Sequence, residues 1–109
     1  GCHYCIAHTR NSALEKNISI EKLKKIWEFE SSECFSESEK AALRIALNAA
    51  QTPNLISDED YTQFMKYFDE KQQIEILAII SLFGFLNRWN SSLMTEIESL
   101  PLNRIKELE

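Results

Sequence analysis

The chain has 109 residues, a formal net charge of −5, and only two glycines and two prolines. This length predicts a single domain over residues 1–109, and the scarcity of turn-forming residues argues against an all-β sandwich or barrel. The acidic balance argues against binding to nucleic acid or to anionic membranes, because both need a basic surface.

Helix signals follow one another along the sequence. Ser19, Ser36, Ser57 and Asp69 are predicted N-caps, and Pro101 is expected to begin the last helix. Apolar residues recur at helical spacing between these signals, and strand patterns are essentially absent. The predicted class is therefore all-α, with five to six helices. The predicted helices span residues 2–16, 20–30, 37–50, 58–68, 70–90 and 102–108.

The fifth predicted helix is apolar on nearly every face between Ile74 and Trp89. Its apolar run of about thirteen residues is too short for a membrane span of about 20 and contains Glu75, so we expect no membrane association. A helix apolar all round has to be covered on several sides, more than a chain of this size can supply. The sequence thus predicts a homo-oligomer that assembles through this helix.

A Cys-x-x-Cys motif at the start of the chain carries the functional signal. Cys2 and Cys5 lie one turn apart on a helix, and His8 falls on the same side as Cys5. His3 points away from Cys5 and is expected to be exposed. The motif thus offers two neighbouring thiols and one imidazole, so the predicted catalytic residues are Cys2, Cys5 and His8.

This arrangement suits thiol redox chemistry, because a helix N-terminus and a nearby imidazole both favour the reactive thiolate. A second cysteine within reach can trap a sulfenic acid as a disulfide. A zinc site is a weaker alternative, since a structural site needs four ligands and no second Cys-x-x-Cys exists. Inert packing of the cysteines is a further alternative. We predict no cofactor and no metal, and assign no role to Cys34.

Four segments resemble a known family. The motif of residues 2–9, CHYCIAHT, resembles the thiol motif of the alkylhydroperoxidase D-like branch of the carboxymuconolactone decarboxylase superfamily. The segments FSESEKAAL at 35–43, SDEDY at 57–61 and FLNRWNSSL at 85–93 are similar to further family segments, in the same order. The resemblance covers nearly the whole chain. The thiol motif is fairly specific, whereas the other three segments indicate the family only in combination.

The resemblance implies a compact orthogonal helical bundle that forms trimers or hexamers and reduces alkyl hydroperoxides. In the family, the second cysteine becomes the sulfenic acid and the first supplies a proton and completes the disulfide. Carried over, Cys5 attacks the peroxide and Cys2 resolves the intermediate. The implied partners are a peroxide substrate and a thiol-disulfide reductant protein, and the expected location is cytoplasmic, where thiols stay reduced.

The chain departs from the family pattern at two places. Thr9 stands where the family usually has its histidine, and His8 is one residue earlier. The family also usually carries a glutamate about a dozen residues before the first cysteine, so we expect the parent protein to have an upstream segment. Two alternatives to the peroxidase stay open: a thiol-disulfide reductase or adaptor, and a catalytically impaired oligomerisation module. Lactone decarboxylation has no support beyond superfamily membership.

Overall fold

The computed structural model describes residues 2–108, except for the side chains of residues 104, 105, 107 and 108. Within this range the chain forms six α-helices, one short 3₁₀ helix and no strand, which confirms the all-α class. The helices are α1 (His3–Glu15), α2 (Ile20–Lys24), the 3₁₀ helix (Ile26–Glu28), α3 (Glu37–Ala49), α4 (Asp58–Tyr67), α5 (Glu70–Leu93) and α6 (Ser99–Leu108).

The chain divides into two compact units. The first contains the N-terminal residues through Trp27 and the residues from Phe85 onward, and the second is Glu28–Gly84. In the first unit α1 packs on α6 and α2 touches α6, whereas in the second unit α3 packs on α4. The prediction of a single domain over residues 1–109 stays a prediction.

Two of the predicted N-caps, Ser36 and Ser57, form capping boxes. Ser36 Oγ accepts from the Glu39 backbone N–H at 3.2 Å, and the Glu39 carboxylate accepts from Ser36 N–H at 3.3 Å. Ser57 and Asp60 make the equivalent pair at 3.0 and 3.1 Å. Each box satisfies two backbone donors that the first helical turn leaves without partners, so the starts of α3 and α4 are encoded locally.

Three predicted helix boundaries are wrong. The predicted helix over residues 20–30 ends at Lys24 and gives way to the 3₁₀ helix, because α2 buries no residue and short helices depend on tertiary packing. Helix α5 continues three residues past the predicted end, to Leu93. Helix α6 begins at Ser99 rather than at residue 102, and Pro101 is buried in its first turn. Proline is tolerated there because first-turn N–H groups have no intrahelical partner.

The second unit has the larger aromatic core. Phe64 of α4 and Ile45 of α3 are fully buried, and Ala41 is 1% exposed. Phe29 and Phe35, in the segment before α3, are also buried. We expect this packing of α3 on α4 to stabilise the unit, since burial of large apolar side chains is the dominant favourable contribution to folding.

Helix α5 buries none of its residues fully within the chain. Its apolar side chains include Ile74, Leu93 and Trp89, which are exposed by 62%, 62% and 57%. Assembly through this helix therefore stays a prediction. No helix in the described part of the chain combines the length and the apolarity that a bilayer span requires.

Candidate functional site

The two cysteines of the motif are joined at the start of α1. Cys2 is the N-cap residue, and its sulfur accepts a hydrogen bond from the Cys5 backbone N–H at 3.2 Å. Cys2 and Cys5 form a disulfide with Cα atoms 5.3 Å apart, and each residue is 8% exposed. A sulfur at a helix N-terminus faces backbone N–H groups and the positive end of the helix dipole. Reduction of this disulfide would thus place a thiolate where its charge is favoured.

The other end of α1 is held by a left-handed residue. Asn17 has φ of 62°, and the Ile18 N–H donates to Ala13 O at 3.0 Å while the Asn17 N–H donates to Leu14 O at 3.1 Å. These two bonds form a Schellman motif, in which asparagine tolerates the positive φ. The helix that carries the motif is therefore closed at both ends by local interactions.

Asn90 of α5 reaches the sulfur of Cys5. Its side-chain N–H₂ lies 3.9 Å from Cys5 Sγ and 3.1 Å from Leu86 O. The hydroxyl of Thr95 donates to Asn90 Oδ1 at 2.9 Å, and the chain turns back at Met94, where φ is 50°. Because the Asn90 carbonyl accepts from Thr95, the amide is oriented with its donor towards Cys5.

His8 lies in a polar cluster with Glu98 and Tyr4. His8 Nε2 is 2.6 Å from Glu98 Oε2, and the Tyr4 hydroxyl donates to Glu98 Oε1 at 3.4 Å. The His8 and Tyr4 rings pack with centroids 4.2 Å apart. Both oxygens of one carboxylate thus bind side chains of α1, one and two turns into the helix. We call these three residues the Glu98 cluster.

The charges of the Glu98 cluster shift two pKa values. The pKa of Glu98 lies below its usual range, because its own backbone N–H and the His8 ring both stabilise the carboxylate. The pKa of Tyr4 is raised by partial burial and then by the neighbouring Glu98 charge. An ionised carboxylate beside an imidazole and a neutral phenol is an arrangement that can hold and relay a proton.

The sequence predicted the helix that carries the two cysteines, but not their neighbours Glu98 and Asn90, and the catalytic roles of Cys2 and Cys5 stay predictions. The structure joins Cys2 to Cys5 as their spacing predicts. It directs Nε2 of His8 to Glu98, and the assignment of His8 as the proton-transfer partner of Cys5 stays a prediction. Glu98 directly precedes α6 and its carbonyl accepts from Leu102 N–H. The incorrect start predicted for α6 concealed this acidic residue at a helix N-terminus, where carboxylates are favoured.

A cavity of about 670 Å³ opens beside the disulfide. Cys2 and Ile6 of α1 line one side, and Asn87 and Arg88 of α5 line another. Trp27 contributes an apolar wall. Among the described residues no group of three or more His, Cys, Asp and Glu is placed to hold a metal ion. Cys2 thus places one sulfur of the disulfide in the wall of this cavity.

This chain is similar to the debrominase Bmp8. Crystal structures of apo Bmp8 and of a cysteine-to-alanine variant in complex with 2,3,4-tribromopyrrole share 35% and 34% identity with it, each with a TM-score of 0.89. Both superpose on 100% of this chain, which covers 59% and 58% of theirs. The shared all-helical architecture fits the alkylhydroperoxidase D-like fold at the level of the superfamily.

Two curated bacterial proteins are also similar. The uncharacterized protein YnjA of Escherichia coli K12 is 31% identical over 106 residues, which are 97% of this chain and 57% of YnjA. The uncharacterized protein YdfG of Bacillus subtilis 168 is 25% identical over 91 residues, 83% of this chain and 60% of YdfG. The chain thus spans about three-fifths of the length of the relatives it matches. No family model matches it.

Replacement of Glu98 by glutamine is expected to lower the pKa of Tyr4 towards its ordinary value of about 10, because it removes the neighbouring negative charge. It should also remove a pH dependence of stability. Folding lowers the pKa of Glu98, so ionised Glu98 stabilises the fold above the ordinary glutamate range, and this stabilisation is lost as pH falls through the folded pKa. NMR titration of Tyr4 and urea unfolding between pH 3 and pH 7 measure the two effects. Glu96→Gln is the control, and equal effects of both substitutions would contradict the assignment.

Proposed function

We propose that this chain contains the active site of a thiol-dependent peroxidase that reduces alkyl hydroperoxides through Cys2 and Cys5. The observation that carries the proposal is the disulfide between two cysteines at the N-terminus of α1, which is the product state of such a reaction. The resemblance of the thiol motif to the alkylhydroperoxidase D-like branch supplies the substrate class. The similarity to Bmp8 supports an enzymatic role.

In the proposed reaction the Cys5 thiolate attacks the terminal oxygen of the hydroperoxide. An S–O bond forms, the O–O bond breaks, and the alcohol leaves after accepting a proton. Cys2 then attacks the sulfenic sulfur of Cys5, and the hydroxyl group leaves as water. One hydroperoxide and two thiols thus give one alcohol, one water and one disulfide. His8, held by Glu98, would transfer the protons.

The catalytic cycle requires a reductant. A thiol-disulfide protein that returns two electrons to the Cys2–Cys5 disulfide is the proposed partner, and a reducing cytoplasmic setting is the proposed location. Assembly as a trimer or hexamer through α5 is part of the same proposal. Its support is the apolar surface of α5, on which Ile79, Leu82 and Phe85 are each more than half exposed.

Reductive dehalogenation is a second candidate, favoured by the similarity to a debrominase. The same pair of thiols can balance that reaction, because a carbon–bromine bond plus two thiols gives a carbon–hydrogen bond, bromide, a proton and a disulfide. The two candidates share the dithiol and differ in the bond that is cleaved.

One set of assays separates these functions. The protein with both thiols reduced is given cumene hydroperoxide, a brominated pyrrole or a protein disulfide, with the Cys2→Ser/Cys5→Ser double variant as control. Peroxide consumption above the double variant supports the peroxidase, and bromide release supports the dehalogenase. Reaction with the protein disulfide alone would instead indicate a reductase or adaptor. Equal rates for wild type and double variant in all three assays would leave the oligomerisation module as the function.

A further inference from the structure

A second cavity follows the first along α1. It has a volume of about 320 Å³ and is lined by the α1 residues Ile6, Thr9, Arg10 and Ala13 together with Leu23, Ile26 and Trp27. Ile6 and Trp27 also line the cavity beside Cys2. Residues 2, 6, 9 and 13 are spaced three to four positions apart, so they follow one face of the helix. We call the two cavities together the α1 groove.

The α1 groove is apolar in its middle and polar at both ends. Ile6 and Trp27 form the shared section, and Trp27 is 79% exposed. At one end, Cys2 faces the polar residues Asn87 and Ser91. At the other end, Arg10 contributes a cation. A ligand with an apolar body and a polar group at each end therefore matches the α1 groove.

Arg10 places a positive charge in the α1 groove, although the chain as a whole is acidic. Among the residues that the structure describes, the lining of the second cavity includes Arg10 and no carboxylate. The whole chain carries a formal charge of −5. A local positive field in an acidic protein favours an anionic ligand, because guanidinium groups bind carboxylates through charge-assisted hydrogen bonds.

The length of the α1 groove limits the size of the ligand. Cys2 and Arg10 are eight positions apart on one helix, which corresponds to about 12 Å at 1.5 Å per residue. A fatty acyl chain of medium length spans this distance. Hydrogen peroxide and tert-butyl hydroperoxide are too small to touch both ends.

We propose that the α1 groove binds an oxidised fatty acid, with its carboxylate at Arg10, its hydrocarbon chain against Ile6 and Trp27, and its hydroperoxide at the cysteine pair. This substrate class rests on the proposed peroxidase function. It adds specificity determinants that the thiol motif does not contain. In the reaction the fatty acid hydroperoxide becomes the hydroxy fatty acid and water, and the two thiols become the disulfide.

Binding can be measured without turnover. Laurate carries the carboxylate and the chain but no hydroperoxide, and the oxidised protein has the disulfide described above. The chain has two tryptophans, so the Trp89→Phe variant reports Trp27 fluorescence alone. We expect laurate to change this fluorescence saturably. We expect Arg10→Gln to weaken laurate binding about tenfold, whereas Lys16→Gln, at the C-cap of α1, leaves it within about twofold.

Dodecanol tests the role of the charge. It has the same chain and no carboxylate, so Arg10→Gln should leave its binding unchanged. Ala13→Phe, which fills the groove wall, should weaken both ligands, and circular dichroism checks that this variant is folded. Absence of a saturable signal with laurate, or equal effects of Arg10→Gln and Lys16→Gln, would overturn the proposal. So would Trp27 emission that depends on protein concentration and not on laurate, because a second copy would then fill the groove.

Turnover provides an independent test of the proposed site. The reduced protein should show a kcat/KM for linoleate hydroperoxide at least about tenfold above that for tert-butyl hydroperoxide, and Arg10→Gln should remove only this advantage. Laurate binding without peroxide consumption would contradict the peroxidase and leave the fatty-anion site standing. Peroxide consumption without laurate binding, and without preference for the fatty substrate, would contradict the site alone.

Discussion

Replacement of Cys5 by serine is expected to lower thiol-dependent hydroperoxide reduction by roughly 10³-fold or more. The reason is that a serine hydroxyl at neutral pH is a much weaker nucleophile than a cysteine thiolate. The resemblance assigns the attack to Cys5, and its sulfur lies 3.9 Å from the oriented amide of Asn90. The substitution removes the atom that would become the sulfenic acid. Peroxide consumption in a stopped assay and mass spectrometry of the protein measure the effect.

Replacement of Cys2 by serine is the matched control for that prediction. It should also abolish repeated turnover, but it should leave one equivalent of peroxide consumed and a sulfenic acid on Cys5 that a dimedone probe can trap. The opposite pattern, with a trapped sulfenic acid on Cys2 in the Cys5→Ser protein, would reverse the two roles. Cys34→Ser should change neither result, because Cys34 is a free thiol in the other unit.

Replacement of Phe64 by alanine is expected to destabilise the second unit by about 3–5 kcal/mol, the usual cost of deleting a fully buried aromatic side chain. Phe64 is 0% exposed, and its ring lies 5.3 Å from that of Phe68, measured between centroids. Domains of this size are stable by only about 5–15 kcal/mol. The variant should therefore lose a large share of its resistance to urea and heat, as circular dichroism would show.

Met65 provides the control for the core prediction. It is the next residue on the same helix and is 47% exposed, so Met65→Ala should change the free energy of unfolding by less than about 1 kcal/mol. Equal destabilisation by both substitutions would contradict the packing of α3 on α4 as the source of stability. Loss of the helix itself would act on both positions alike.

Local signals account for the parts of the fold that the sequence predicted correctly. The capping boxes at Ser36 and Ser57 involve residues three positions apart, so their chemistry is visible in the sequence. The spacing of Cys2 and Cys5 defines their distance on a helix in the same way. The boundaries that were wrong depend on packing. Helix α2 is short and buries no residue, so no tertiary packing extends it. The start of α6 includes a proline, which is accepted only in the first turn of a helix.

The sequence by itself determined the all-α class, the caps that begin the central helices, and the cysteine pair whose spacing suits a disulfide. Only the tertiary structure decided which groups surround that pair. Glu98 contacts His8, from which it is separated by 90 positions in the sequence, and Asn90 contacts Cys5, from which it is separated by 85. Helical periodicity acts over one or two turns. These contacts depend instead on how α1 packs against α6 and on the position of Asn90 beside Cys5, and no spacing in the sequence encodes that arrangement.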